Sequence, residues 1–153
     1  MKTIFRIIVL FLLVTAACGR HREVSQFHTF RNAVWQRFDH LNFTLPVGNP
    51  GEYDIYIVVR YTKAFPSEAL SVNVVMNTPG GEERIKDYNL FLKNKEGKML
   101  GENNNGVYSQ VIDIRKGIRF ETAGPLTFDI ENLMPKYYTP GIVEFGIVLE
   151  KSR

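Results

Sequence analysis

The chain has 153 residues, 44% of them hydrophobic, and its 19 basic and 16 acidic side chains leave a formal charge of only +3. A domain of this length buries about 68–70% of its unfolded surface, enough for a core without disulfides. The single cysteine, Cys18, excludes an intramolecular bridge. No basic stripe of the kind that binds nucleic acid is present.

Residues 1–17 read as a lipoprotein signal peptide. Lys2 and Arg6 precede the apolar run Ile7 to Val14, and Thr15-Ala16-Ala17 form a small-residue processing site. A membrane-spanning helix needs roughly 20 apolar residues, and this run is shorter. Cleavage before Cys18 would expose its amine for acylation, with palmitate for example, and its sulfur would carry diacylglycerol. Two or more chains of this kind hold a protein stably on a bilayer. Loss of Lys2 and Arg6 with the signal lowers the formal excess from +3 to +1.

Gly19 and the basic stretch Arg20-His21-Arg22 follow the cysteine, with neither an inner-membrane retention aspartate nor an acidic surface-export run. The expected location is the outer membrane, facing the periplasm. Residues 18–25 form the lipidated cysteine and a short tether, which reaches at most roughly 25–30 Å when extended. Residues 26–153 form one domain that works close to the bilayer.

From residue 26 the pattern is strand after strand. In Glu52 to Tyr61, one face carries Tyr53, Ile55, Ile57, Val59 and Tyr61, the period of two that marks a β-strand. Leu70 to Asn77 turns Val72, Val74 and Met76 inward. Pro79-Gly80-Gly81 leads into a strand over Glu83 to Leu92, and Asn105-Gly106 predicts a type I′ hairpin. Tyr108 to Ile114 alternates again. Gly124-Pro125 precedes Leu126, Phe128 and Ile130, and Pro140-Gly141 precedes the last strand, with Val143, Phe145, Ile147 and Leu149 inward. No segment shows a helical repeat. The fold class is all-β, an antiparallel β-sandwich of immunoglobulin-like or jelly-roll layout.

The residues offer little chemistry. His21, His28 and His40 match no ligand spacing, so no metal or other cofactor is expected. Cys18 is no nucleophile once lipidated, and Asn103-Asn104-Asn105 reads as turn chemistry. Asp129 and Glu131 lie two apart on one strand face, roughly 6.5–7 Å by strand rise, a separation open to glycoside hydrolysis. The better reading is alternating acids on the solvated face of a sheet whose other face holds Leu126, Phe128 and Ile130. The expectation is no enzyme.

The aromatics are the other candidates. Tyr56 and Tyr88 are assigned to outer faces, Tyr137 and Tyr138 to a late loop, and Trp35 with Phe38 to the core. Exposed rings on a sandwich stack on sugars or anchor proteins, so these four tyrosines are the candidate partner-binding residues. The alternative to a protein-binding role is a glycan-binding module.

Four blocks carry a family resemblance. They are Trp35, Asp39 and Phe43; Tyr53-Asp54-Ile55 through Arg60-Tyr61 with Ala69-Leu70; Lys98-Met99-Leu100-Gly101 through Gly106-Val107-Tyr108; and Phe128 to Met134 leading to Gly141 to Ile147. Together with the signal they make the chain resemble the gliding motility lipoproteins of the GldH type from Bacteroidetes. The third block departs from the family pattern, with Glu102-Asn103-Asn104-Asn105 in place of a glycine-rich, aspartate-containing loop. The resemblance implies an envelope lipoprotein associated with the gliding machinery and its linked secretion system. It implies no enzymatic activity, cofactor or established binding residue.

Overall fold

The computed structural model describes residues 23–153. Cys18, the signal peptide and most of the tether lie outside the described residues. The first described strand, β1 (Glu23–Thr29), pairs with the last strand along its whole length.

A 3₁₀ turn (Arg31–Ala33) and the short β2 (Val34–Gln36) follow β1. Next come β3 (Leu41–Val47), β4 (Gly51–Tyr61), β5 (Ala69–Asn77), β6 (Glu83–Phe91), β7 (Glu102–Asn104) and β8 (Val107–Phe120). β9 (Gly124–Asn132), β10 (Tyr138–Pro140) and β11 (Ile142–Lys151) complete the chain. One sheet has the order β1-β11-β4-β8-β7 and the other β3-β9-β5-β6, with β10 and β2 as a separate ribbon. All the pairings are antiparallel. With the three short strands set aside, first and last strands pair and each later pair folds inside them. That nesting is the jelly roll, which decides between the two expected layouts.

Period-two alternation builds the core. In β3 every second residue from Leu41 to Val47 is buried, and in β5 Leu70, Val72, Val74 and Met76 are. The inner faces meet through Ile55, Ile57, Phe128, Ile130 and Phe145, all shut off from solvent. Each such side chain contributes roughly 1.5–3 kcal/mol on burial. The Asn105–Gly106 hairpin forms as expected, with φ of +51° and +85°.

Two expectations fail in instructive ways. Val143 is only half-buried, because a β-bulge between Ile142 and Glu144 puts Ile142 inward in its place. The bulge follows Gly141, whose φ is +84° and whose missing side chain matters: an added Cβ would lie 2.2 Å from the Phe65 backbone nitrogen. Phe38, expected beside Trp35 in the core, is instead 64% exposed.

Candidate functional site

The end of the sandwich where β1 finishes and β11 begins carries a small aromatic platform. Trp35 on β2 roots it. The indole is fully buried, stacks on Phe30 at 5.1 Å, meets Phe145 edge-on at 5.4 Å and donates its N–H to the Asp39 carbonyl at 2.9 Å. β2 pairs with β10 through Trp35 and Thr139. Beneath the ribbon, the buried Asn132 amide donates to Thr139 Oγ1 at 3.1 Å and to the Trp35 carbonyl at 3.4 Å. Its own oxygen accepts the Met134 N–H at 2.8 Å. A buried polar group is costly unless every bond is made, so a satisfied network fixes one position for the ribbon.

On that base the chain turns its rings outward. Phe38 sits at φ +73°, a left-handed conformation that is an outlier for a bulky residue. Arg37 covers its ring at 5.3 Å, and Arg37 also ties back to the other strand of the ribbon. Its backbone N–H donates to the Tyr137 carbonyl at 2.7 Å and its guanidinium to the Pro135 carbonyl at 3.3 Å. Tyr137 and Tyr138, 51% and 58% exposed, pack edge to face at 4.7 Å with their planes 86° apart. Beside Tyr138 lies a hollow of about 130 Å³ walled by Pro66, Ser67, Met134 and Lys136. A left-handed bulky residue and three exposed rings thus occur at one end of the sandwich.

The candidate tyrosines thus divide. Tyr137 and Tyr138 come together, and Phe38, which its nearness to Trp35 in the chain assigns to the core, is exposed next to Arg37, whose N–H bonds the Tyr137 carbonyl. Tyr56 stands apart on the outer face of the five-stranded sheet, among Asp54, Gly117, Glu150 and Ser152 in a shallow concavity. Desolvation first, then the charge of Asp54, raises the pKa of its phenol. Tyr88 does not lie on an outer face as expected. β6 pairs Tyr88 with the inward-facing Val72, so its ring points between the sheets, half-buried under Lys86 at 4.9 Å, and burial raises its pKa. The perpendicular Tyr137–Tyr138 pair gives no flat platform of the kind on which a sugar ring stacks.

The carboxylate pair is placed on an open face. Asp129 bonds His40 Nδ1 at 2.6 Å, and both side chains are well exposed. No group of metal-binding side chains occurs among the described residues. Asn103 Oδ1 accepts the Gly106 N–H at 2.9 Å, the turn role expected of that loop.

Comparison with known proteins adds the following. One curated protein, a component of the NADH-quinone oxidoreductase of Bdellovibrio bacteriovorus, is 35% identical over 104 residues, which is 67% of this chain. The match spans only 17% of that protein's length. Among solved structures, a family 35 carbohydrate binding module from Clostridium thermocellum shares 22% identity at a TM-score of 0.39, covering 82% of this chain and 86% of the module. Dimeric latent PorU from Porphyromonas gingivalis shares 7% identity at a TM-score of 0.38, covering 86% of this chain and 13% of PorU. The family described as GldH lipoprotein matches residues 22–149, nearly the whole chain. By that match the chain belongs to the GldH lipoproteins, a family of gliding-motility-associated lipoproteins.

Proposed function

We propose that this protein is a non-catalytic outer-membrane lipoprotein, held by lipid on Cys18 and facing the periplasm. In this reading it serves as an accessory component of the gliding and linked secretion machinery, and it acts through protein contacts. The observation that carries the reading is the Phe38–Tyr137–Tyr138 end. Exposed aromatic anchors beside a hollow, on a rigid base, are what protein interfaces use for most of their binding energy. Its position fits the anchor. β1 has seven residues and runs from the tether side toward this end, about 23 Å at roughly 3.3 Å per residue. The rings therefore stand at the end of the domain away from the tether.

The test replaces Phe38 and Tyr138 by serine on the chromosome of a gliding host. A photo-crosslinker beside Tyr137 then captures neighbours in the otherwise native protein and in the double variant. Loss of colony spreading together with loss of specific envelope-protein adducts is expected. Unchanged spreading, secretion and adducts in a stably produced variant would refute the role of this surface. Anchoring is checked separately: Cys18→Ser should release the protein from the outer-membrane fraction or leave the signal uncleaved.

A further inference from the structure

The two long seams of the sandwich differ. Along the β1–β3 seam the sheets are linked, with the Thr44 N–H donating to Gln26 Oε1 at 2.8 Å. Along the opposite seam, between β6 and the later half of β8, a cavity of about 190 Å³ opens between the sheets. Its floor is apolar and buried: Ile55, Val74, Met76 and Phe128. Its mouth is cationic, formed by Arg84, Lys86 and Arg115.

β6 creates this opening. Its inward positions place Arg84 opposite Met76 and Lys86 opposite Val74. Long cationic side chains extend toward water instead of filling the space between sheets. Arg84 is already forked onto Glu82 at 2.8 and 3.0 Å. Lys86 and Arg115 are within ion-pair distance of no carboxylate among the described residues.

The same strand is an unpartnered edge. Its nine residues pair with β5 alone. The Leu92 N–H donates to the Glu68 carbonyl at 2.8 Å, just past the strand end. Antiparallel alternation from that bond turns the backbone groups of Ile85, Asp87 and Asn89 to the open side. On the outer face of β6, Ile85 and Phe91 are 62% and 57% exposed.

We propose that the β6 edge and the cleft beneath it receive an extended segment of a partner protein by strand addition. One large apolar side chain of that segment enters the cavity, and flanking acidic side chains meet Lys86 and Arg115. Main-chain bonds to an open edge give affinity in this mode, and the pockets give selectivity. Size favours a side chain over a lipid tail, since an apolar cavity of about 150 Å³ accepts a benzene ring. Charge sets the partner's chemistry. Inward cations on an edge strand repel indiscriminate pairing, and an acidic strand is the one they admit. This surface is separate from the Phe38 end, so each stands or falls on its own variants.

The test uses the full chain in lipid nanodiscs, free of detergent. The probes are a short synthetic peptide alternating valine with glutamate around one phenylalanine, its lysine-for-glutamate twin, and octanoate. The acidic peptide should bind and slow amide exchange across residues 83–91. The double variant Lys86→Glu, Arg115→Glu should weaken it by about tenfold or more and prefer the lysine twin. That switch in preference also shows that the variant is folded. The proposal is overturned if neither peptide binds, if both bind the native protein alike, if exchange at β6 is unaffected, or if octanoate alone occupies the cleft.

Discussion

The side-chain amide of Asn132 donates to the Thr139 hydroxyl at 3.1 Å, and both side chains are sealed from solvent. One comes from the end of β9 and the other from β10, so this bond ties the aromatic ribbon to the sandwich. Asn132→Leu would leave the Met134 N–H and the Thr139 hydroxyl without partners, at a cost of about 1–3 kcal/mol. The melting temperature should fall by several degrees. Emission from the single tryptophan, Trp35, should shift to the red as its ribbon loosens. A change in stability under about 0.5 kcal/mol, the scale of an ordinary surface substitution, would contradict a structural role for this bond.

Gly141 tests the close approach of two loops. A Cβ there would meet the Phe65 nitrogen at 2.2 Å, and the Gly141 N–H already donates to the Ala33 carbonyl at 2.8 Å. Gly141→Ala should cost roughly 2–4 kcal/mol through clash and backbone strain combined. Gly48→Ala is the control, since nothing lies within 4 Å of the added carbon. Equal denaturation midpoints for the two variants would show that the loops have room to move.

Phe38 offers a trade between stability and binding. Asparagine tolerates a positive φ better than a bulky ring does, and little packing is lost from an exposed position. Phe38→Asn should therefore leave stability unchanged or raise it by up to about 1 kcal/mol, while partner capture falls. Substantial destabilisation would mean that the ring serves the fold and not a contact.

His40 gives a pH dependence of defined sign. Its pKa is raised above 6.5, first by the hydrogen bond to Asp129, then by the charges of Asp129 and Glu131, with burial opposing. A group whose folded pKa is raised stabilises the fold when protonated. The contribution is complete below the unfolded value and disappears as pH rises through the folded one. Because the pair is exposed, it is worth a few tenths of a kcal/mol after screening. Asp129→Asn should lower the His40 titration midpoint in an NMR titration. A native midpoint at or below 6.5 would rule the pairing out.

How far the fold can be read from sequence depends on which side chains each strand turns inward. β3, β4, β5 and β9 put apolar residues at every second position, and their inner faces follow from that period. β6 reverses the rule: Arg84, Lys86 and Tyr88 point in while Ile85 and Phe91 point out, so alternation puts Tyr88 on the wrong face. Val143 is misplaced by the same logic because a bulge shifts the alternation by one residue, and only Gly141 hints at it. The aromatic end is half legible. Tyr137-Tyr138 stands out in a late loop, but Phe38 lies near Trp35 in the chain, and its exposure depends on a backbone angle no periodicity shows. The resemblance-bearing residues Trp35, Asn132 and Phe145 meet around one ribbon, although they lie far apart in the sequence.

The pairing of β1 with β11 has a mechanical consequence. β1 leads from the tether side to the aromatic end, and its seven residues face Glu144 to Glu150 in unbroken register. A pull between the N-terminal side of the domain and a partner at Tyr138, just ahead of β11, would load the two paired strands from opposite ends. The ladder would then be loaded in shear, its hydrogen bonds sharing the force at once instead of opening one after another. Such a joint resists sudden traction far better than a peeled one.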